Sequence, residues 1–196
     1  MKALFAVLSY LLGAVPTGYL VFKLSERRDI RDFGSRNTGA TNVMRLKGWK
    51  LAVPVVFADV LKGFLPAFLA LRLFGDLRLA LVASFLAVVG HCYPVYIRFR
   101  GGKGVATTVG AAAALALAPL LVSLAVFLVV VGLTRYVSLG SILAVVSFPI
   151  FVHVLGGGVE TVAWGAGITL LIVLKHHGNI GRLIAGRERK LGEKAS

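Results

Sequence analysis

The longest stretch of this chain without a charged side chain reads GVATTVGAAAALALAPLLVSLAVFLVVVGLT, residues 104–134. It is far longer than the roughly 20 apolar residues that cross the hydrocarbon of a bilayer. The stretch is therefore either one long helix or two short helices that meet at Pro119, because proline interrupts helical hydrogen bonding. The distribution of charge over the rest of the chain decides between the two.

Composition places the chain among membrane proteins. Of its 196 residues, 58% are hydrophobic and 15% are charged, whereas soluble domains have about 25% charged residues. Segments with few charges recur along the whole chain, and no linker is long enough to separate two domains. We predict an all-α polytopic membrane protein with a single domain, 1–196. The predicted spans are roughly 3–22, 51–74, 79–97, 104–117, 119–134, 140–155 and 161–174.

Charge placement favours two helices within 104–134. The chain then has seven spans, and the segments 23–50, 98–103, 135–139 and the tail from Lys175 share one side. Together these segments hold 18 of the 22 Lys and Arg residues. With one long helix, the tail would move to the opposite side and split the charge. Because Lys and Arg stay in the cytoplasm, we predict seven transmembrane helices, N-terminus out and C-terminus cytoplasmic.

The formal net charge of +14 has two compatible explanations. On a soluble protein it would suggest nucleic acid, but here the charges lie in loops between apolar runs, and we expect no nucleic-acid partner. Membrane topology explains most of the charge, and an anionic substrate or lipid headgroup is a second cause. The single Cys92 and four scattered histidines exclude a disulfide framework and indicate no metal site.

The first inner loop carries GSRNTGATNVMR, residues 34–45. Its glycines let the backbone approach a ligand closely, and Arg45 is suited to a paired, charge-assisted contact with phosphate. A helix that begins near Thr41 or Asn42 would also point free N–H groups at an anion. The alternative is a capped turn that starts an interfacial helix. Composition alone does not separate these interpretations.

The second inner loop reads RFRGGKGVATT, residues 98–108. Gly101, Gly102, Lys103 and Gly104 stand directly before the predicted fourth span. A glycine-rich turn, a lysine and a helix N-terminus together favour anion binding. The spacing does not match the phosphate loop of nucleotide-binding proteins. The alternative is a tight turn whose lysine only marks the cytoplasmic side.

Further polar residues fall on the same predicted side. Ser141 lies in SLGSI at the start of the sixth span, where a serine is usually a helix cap. His176 and Asn179 lie in KHHGNIGRL, residues 175–183, and share a face if the helix continues. A lone histidine at a membrane interface is usually structural, but a His and an Asn on the same side as two glycine-rich loops favour a functional site.

Within the spans, Asp59 and Lys62 are one helical turn apart and could form an ion pair. His91 is interpreted as a buried hydrogen-bonding group rather than a metal ligand. A functional role has to be considered for all three residues, because ionisable side chains inside a membrane are energetically costly.

The absent patterns narrow the chemistry. Every Asp lies at or before Asp76 and every His at or after His91, so no His is followed by an Asp five positions later. A Ser-His-Asp triad or a pair of carboxylates is poorly supported. The polar set on the inner face instead suits phosphate binding and the stabilisation of developing negative charge. That set is Ser35, Arg45, Lys103, Ser141, His176 and Asn179.

Three stretches together resemble the PlsY family of bacterial acyl-phosphate:glycerol-3-phosphate acyltransferases. They are GSRNTGATNVMR at 34–45, GGKGVAT at 101–107, and the segment from His176, Asn179 and Ile180 to AGRE at 185–188. Their order and spacing match across nearly the whole chain. Two positions depart from the common pattern: Arg36, where a smaller residue is usual, and His177, where an arginine is usual.

The resemblance implies transfer of a fatty acyl group from acyl phosphate to glycerol 3-phosphate, giving lysophosphatidic acid and phosphate. It implies catalytic roles for Ser35, Arg45, Lys103, His176 and Asn179. Glu188 matches a position associated with structural integrity. We expect no cofactor and no metal, a monomer among membrane lipids, and an active site facing the cytoplasm at a bacterial inner membrane. Substrate-binding roles are expected for Asn37, Thr41, Asn42, Gly101, Gly102, Gly104 and Ser141.

Three other classes of protein are alternatives, and the sequence argues against each of them. A transporter or channel for small phosphorylated compounds should carry a polar route to the outer face, and the outer half of this chain is nearly featureless. A scaffold protein would not need two glycine-rich anion loops on one side. A metal-dependent phosphotransferase would need a cluster of Asp residues, which the sequence lacks.

Overall fold

The computed structural model describes residues 1–193, and every regular element in that part of the chain is helical. The all-α prediction is therefore confirmed. The described chain forms two compact units, Met1–Ala111 and Ala112–Glu193, and a single functional domain stays a prediction. Lys194, which we counted in the basic tail, lies outside the described residues.

The first unit contains five complete helices and most of a sixth. Short 3-10 turns at Ile30–Asp32 and Val95–Ile97 lie in its two loops. The helices are α1 (Lys2–Ala14), α2 (Thr17–Glu26), α3 (Ala40–Lys47), α4 (Trp49–Phe74), α5 (Leu77–Cys92) and α6 (Val105–Leu115). Those that follow are α7 (Leu117–Thr134), α8 (Val137–Val154), α9 (Val159–Lys175) and α10 (His177–Ile184).

Each of the seven predicted spans contains a helix. Within residues 1–193, five helical segments are long and apolar enough to cross a membrane, or six if α9 and α10 form one bent span. Helix α6 has 11 residues and rises only about 17 Å, roughly half of the hydrocarbon thickness. The count of seven crossings and the orientation therefore stay predictions.

The uncharged stretch 104–134 forms two helices, as its charge context predicted. The break lies at Ala116, whose φ of −155° and ψ of 70° are not helical, and not at Pro119. Proline is tolerated in the first turn of a helix, where its missing N–H would have no partner. Pro119 therefore lies inside the first turn of α7 and does not separate the two helices.

The first predicted span, 3–22, is also divided into two helices. Helix α1 ends at Ala14 and α2 begins at Thr17, because Pro16 lacks the N–H that would continue the helical ladder. The Val15 carbonyl accepts a hydrogen bond from Lys62 Nζ at 2.9 Å. A side chain of α4 therefore satisfies a backbone group at the break.

Glycines permit close helix approach in the first unit. A Cβ at Gly63 of α4 would overlap the backbone carbonyl of Thr107 in α6, and one at Gly110 of α6 would overlap that of Val60. Small residues at such crossings let helix backbones touch in lipid. These contacts fix the start of α6, and with it the loop that precedes α6.

Replacing Gly63 with alanine is expected to destabilise the protein by about 1–3 kcal/mol, the usual cost of overpacking. Gly132→Ala is the matched control, because its added methyl group meets no atom within 4 Å. The midpoint of thermal unfolding in detergent should fall for Gly63→Ala and stay or rise for Gly132→Ala. Equal midpoints in the two variants would contradict close packing of α4 against α6.

Candidate active site

The first predicted loop leads into α3, which begins at Ala40 after an N-cap at Gly39. This start is close to the one predicted at Thr41 or Asn42. Val43 is fully buried and packs in a cluster with Phe22 and Ile30. The apolar side of α3 therefore holds the helix and its polar loop against the rest of the first unit.

Asn42 organises this loop from within. Only 2% of the residue is exposed. Its Oδ1 accepts a hydrogen bond from the Ser35 N–H at 2.9 Å, and its Nδ2 donates to the carbonyls of Phe33 at 3.2 Å and Asn37 at 2.9 Å. The Asn42 side chain thus fixes the backbone conformation of the loop that presents the exposed Ser35. The geometry therefore favours a role for Asn42 in positioning Ser35.

Asn42→Ala is expected to lower kcat/KM at least tenfold for the acyl transfer that the family resemblance implies. The variant removes three hydrogen bonds, each worth about 1 kcal/mol, and releases the backbone of Ser35. Ser147→Ala is the control, because Ser147 Oγ donates only to a carbonyl of its own helix. Steady-state kinetics of the two purified variants test this prediction. An Asn42→Ala enzyme as active as the control would exclude the positioning role of Asn42.

Arg31 joins the two predicted loops. Its Nη1 donates to the Ile97 carbonyl at 2.9 Å, and its Nη2 to Asp29 Oδ2 at 2.6 Å. The hydrogen bonds from the Arg31 side chain lower the pKa of Asp29 below its ordinary value, so the pair stays charged at neutral pH. The loop that carries Ser35 and the loop that carries Lys103 are therefore tied together within Met1–Ala111.

The second loop runs directly into α6, as predicted. Arg98 and Phe99 both have a φ near 58°, a left-handed conformation that is uncommon for such residues. The backbone then returns to α5, where the Gly102 N–H donates to the His91 carbonyl at 3.0 Å. Gly104, with a φ of 88°, makes the last turn before α6. The half-buried Lys103 thus lies at a helix N-terminus, where anions are favoured.

In the second unit, the interpretation of Ser141 as a helix cap is wrong. Helix α8 begins at Val137, and Ser141 lies in its second turn. Its Oγ donates to the Val137 carbonyl at 2.8 Å, a bond that serine makes within helices. Ser141 is 4% exposed. Its hydroxyl oxygen retains acceptor capacity while its proton is used in the helix.

His176 lies at a bend of 60° between α9 and α10. The helix does not continue through it, so the shared face predicted for His176 and Asn179 does not arise from one straight helix. The Asn179 N–H nevertheless donates to the His176 carbonyl at 2.8 Å. His176 Nδ1 lies 2.8 Å from the Ile172 carbonyl. A carbonyl only accepts, so Nδ1 carries a proton, and in a neutral ring Nε2 is then the accepting nitrogen.

Glu188 is the centre of a buried hydrogen-bond network in this unit. Its Oε1 accepts from Ser138 Oγ at 2.8 Å and from Asn179 Nδ2 at 2.6 Å, and its Oε2 accepts from Arg182 Nε at 2.7 Å. Burial acts to raise the pKa of Glu188, but these three hydrogen bonds outweigh it and hold the pKa below its ordinary value. A charged Glu188 therefore orients the amide of Asn179.

The two positions that depart from the family pattern, Arg36 and His177, are both exposed. Arg36 is exposed and has a φ of 56°, in the left-handed region where glycine is at no disadvantage. Glycine would therefore adopt this backbone conformation more readily than arginine. His177 is exposed at the start of α10, and its Nδ1 contacts the Leu174 carbonyl at 3.0 Å.

The structure brings together some of the predicted residues and adds others. In Met1–Ala111, Arg31 ties the loop that carries the predicted residues to the 3-10 turn before the loop 101–104. Those predicted residues are Ser35, Asn37, Thr41, Asn42 and Arg45. In Ala112–Glu193, Asn179 shares Glu188 with Ser138, one turn before Ser141. Sequence reasoning missed Arg31 and Ser138. The only local signals were the Asp29–Arg31 spacing and the spacing of the two serines on α8.

Comparison with known proteins gives consistent matches over nearly the full length. A family model described as glycerol-3-phosphate acyltransferase matches residues 3–186. The glycerol-3-phosphate acyltransferase of Syntrophotalea carbinolica is 45% identical over 184 residues, 93% of each chain. That of Aquifex aeolicus is 44% identical over 192 residues, 97% of this chain and all of the relative.

Solved structures give the same result. PlsY (YgiH), an integral membrane glycerol 3-phosphate acyltransferase, matches in its glycerol 3-phosphate form with a TM-score of 0.93 and 41% identity, over 97% of this chain and 96% of that one. Its lysophosphatidic acid form matches with a TM-score of 0.90 and 39% identity, over 98% and 96%.

The helical fold and these matches define an integral membrane acyltransferase. More particularly, the chain belongs to the glycerol-3-phosphate acyltransferase family. The resemblance inferred from the three sequence stretches is confirmed. No group of three or more metal-ligating side chains occurs among residues 1–193, and independence from metals and cofactors stays a prediction.

Proposed function

We propose that this enzyme transfers a fatty acyl group from acyl phosphate to the 1-hydroxyl of glycerol 3-phosphate. The products are lysophosphatidic acid and inorganic phosphate, the first step of bacterial phospholipid biosynthesis. The observation that carries the proposal is the match, over nearly the whole chain, to PlsY in forms with glycerol 3-phosphate and lysophosphatidic acid. The tied pair of loops with Arg45 and Lys103 supplies the cations that this chemistry needs.

In this proposal, Arg45 and Lys103 bind substrate phosphates. Glycerol 3-phosphate is a soluble anion, and an acyl phosphate carries its own anionic group next to an apolar chain. Arginine matches phosphate through paired hydrogen bonds, and lysine acts as a compact charge. The N-terminus of α6 adds backbone N–H groups directed at an anion. The acyl chain can lie among apolar helix surfaces.

Ser35, Ser141, His176 and Asn179 orient the acceptor in the proposed mechanism. Holding the acceptor hydroxyl next to the acyl carbonyl makes the reaction effectively intramolecular, and such a reaction is much faster than a bimolecular encounter. His176 is suited to this role because Nε2 is the accepting nitrogen when Nδ1 donates to Ile172. Asn179 is suited because Glu188 fixes its amide.

The proposed reaction is a direct transfer. The 1-hydroxyl oxygen attacks the acyl carbonyl carbon and forms the new ester bond, while the bond from that carbon to the phosphate oxygen breaks. Phosphate leaves with the electron pair, and the hydroxyl proton goes to the departing phosphate or to His176. Acyl phosphate is already activated, so the reaction requires no acyl-enzyme and no metal.

We further propose that the enzyme works as a monomer in a bacterial inner membrane, with its site facing the cytoplasm and lipids as neighbours. The charge distribution over the predicted loops supports the orientation. Accessibility labelling of single cysteines introduced at Lys50 and Leu77 of a Cys92→Ala protein tests it. Labelling of the Lys50 position from outside the cell would reverse the proposed topology.

The first experiment measures phosphate release by purified protein from palmitoyl phosphate, with and without glycerol 3-phosphate and without added metal. Release that depends on the acceptor, matched by lysophosphatidic acid, is the expected result. No release from a folded, monodisperse sample would reject the reaction in this form. Transport assays in liposomes would then test the alternative of a carrier for phosphorylated compounds.

The route of the proton and the direct transfer are tested separately. A His176→Gln enzyme with a nearly normal rate would exclude His176 as an obligatory base. An acyl-enzyme trapped on Ser35, formed and consumed at the rate of turnover, would overturn direct transfer. Mass spectrometry of protein quenched during turnover detects such an intermediate.

A further inference from the structure

A buried polar cluster in the first unit has no part in the mechanism above. Asp59 and Lys62 lie on α4, and His91 lies in the last turn of α5. Asp59 is 1% exposed, Lys62 4% and His91 8%. Charged side chains inside membrane-spanning segments are costly and are retained where they serve a purpose.

Part of that purpose is structural. Lys62 Nζ lies 2.8 Å from Asp59 Oδ1, which confirms the predicted ion pair, and Lys62 also caps the Val15 carbonyl at the break between α1 and α2. The Thr17 hydroxyl donates to Asp59 on the other side of that break. The pair thus provides hydrogen-bond partners for the Val15 carbonyl and the Thr17 hydroxyl, on either side of Pro16.

His91 extends this cluster to the glycine-rich loop. Its Nδ1 lies 3.7 Å from Asp59 Oδ1, an ion-pair distance rather than a hydrogen bond. The opposite edge of the ring lies against Gly102, where a Cβ would overlap His91 Nε2. The Gly102 N–H donates to the His91 carbonyl at 3.0 Å. Gly101 also lies against that carbonyl, and a Cβ there would overlap it. Both the ring and the backbone of His91 therefore hold the loop.

We propose that His91, held beside Asp59, is a positioning residue for the loop 101–104. It sets the backbone of Gly102, and through it Lys103 and the N-terminus of α6, in the conformation that binds the terminal phosphate group of a substrate. The inference rests on the proposed function and adds a residue to it. His91 acts through Gly102 and not on the reacting atoms. Glycine is required at 102 because the imidazole fills the space of a side chain.

A double-mutant cycle on His91 and Gly102 tests this contact. The three atoms nearest to a Cβ at Gly102 all belong to the His91 ring. Gly102→Ala alone should displace the loop, and His91→Ala alone should remove its support. The double variant places the methyl group where the ring was. We expect each single change to raise the KM for one phosphate-bearing substrate about tenfold or more, since small misplacements are costly.

The double variant should recover most of that loss, while kcat changes less than KM. Such recovery is a coupling between neighbours that a general loss of stability does not produce. Glycerol 3-phosphate and palmitoyl phosphate are varied separately, so the KM that rises identifies whose phosphate the loop binds. Ser84→Ala is the control, because Ser84 is fully buried on the same helix and bonds only within it.

The role of Asp59 is tested with both charges removed together. Asp59→Asn combined with Lys62→Met avoids a buried unpaired charge, which would by itself strongly destabilise the protein. At an unchanged melting temperature, a raised KM supports the proposal, and a normal KM removes Asp59 from it.

The inference and the proposed function fail in different ways. Glycerol 3-phosphate binding, measured by calorimetry on the same variants, does not depend on turnover. If the natural protein binds glycerol 3-phosphate without turnover, the proposed reaction is rejected. The role of His91 in the loop is then tested by the dissociation constants of the variants. Gly102→Ala should weaken substrate binding much more when the His91 ring is present than when it is absent. If the effect of Gly102→Ala on the binding of both substrates is the same with and without the ring, the positioning role is wrong. Normal KM and normal binding in a folded His91→Ala protein also overturn it.

Discussion

Lys103→Ala is expected to lower kcat/KM for acyl transfer by about two to three orders of magnitude, the usual effect of removing one preorganised electrostatic contact. Lys103 lies between Gly102 and Gly104, directly before α6. In the proposed site, this position at a helix N-terminus lets the ammonium group act on the same anion as the backbone N–H groups. Removing the charge should weaken phosphate binding and leave the fold intact.

Lys50→Ala is the matched control for this prediction. Lys50 is exposed at the start of α4 and belongs to the same predicted basic face. Loss of net charge alone would affect both variants equally, whereas a specific phosphate contact affects only Lys103. Phosphate release from palmitoyl phosphate at fixed ionic strength makes the comparison. Equal activities in the two variants would remove Lys103 from the proposed site.

Glu188→Ala is expected to cause the second large loss, in both stability and activity. Three donors converge on this buried carboxylate: Ser138, Asn179 and Arg182. Breaking a buried charged network by removing one member typically costs about 3–5 kcal/mol, and Asn179 would lose the group that orients its amide. The unfolding midpoint and kcat should both fall.

Glu188→Gln separates the two consequences. Glutamine keeps an acceptor oxygen at nearly the same volume but loses the negative charge that faces Arg182. The stability of Glu188→Gln should lie between those of the natural protein and Glu188→Ala. Glu193→Ala is the control, because Glu193 accepts an exposed hydrogen bond from the Lys190 N–H. Natural kinetics and stability in Glu188→Ala would show that Asn179 needs no such support.

The proposed chemistry assigns different tasks to different kinds of residue. Arg45 and Lys103 supply charge, whereas Asn42, His91 and Glu188 fix the backbone or side chain of a neighbour. The positioning residues are the more buried ones, at 2%, 8% and 7% exposure. A substitution at a positioning residue should therefore alter stability as well as activity, and a substitution at Lys103 should alter activity with little effect on stability.

The helical segments and the two polar loops were predictable from the sequence. Each of the seven apolar segments contains a helix because a chain in hydrocarbon must satisfy its own backbone groups. The loops 34–45 and 98–108 were also predictable, since glycine, lysine and arginine in short order have direct chemical meaning. Helix ends were less accurate: the break in 104–134 lies at Ala116 because Pro119 fits within the first turn of α7.

The sequence by itself determined the membrane class, the helical segments and the family, and it indicated residues whose chemistry suits phosphate binding. These follow from local composition, which sets how a segment partitions into lipid and which groups it offers to an anion. Only the tertiary structure decided which residues hold that machinery in place. Arg31 contacts Ile97, His91 contacts Gly102, and Ser138 contacts Glu188. The contacts of Arg31 and Ser138 join residues far apart in the chain, and all three depend on how the helices pack, which no local pattern encodes.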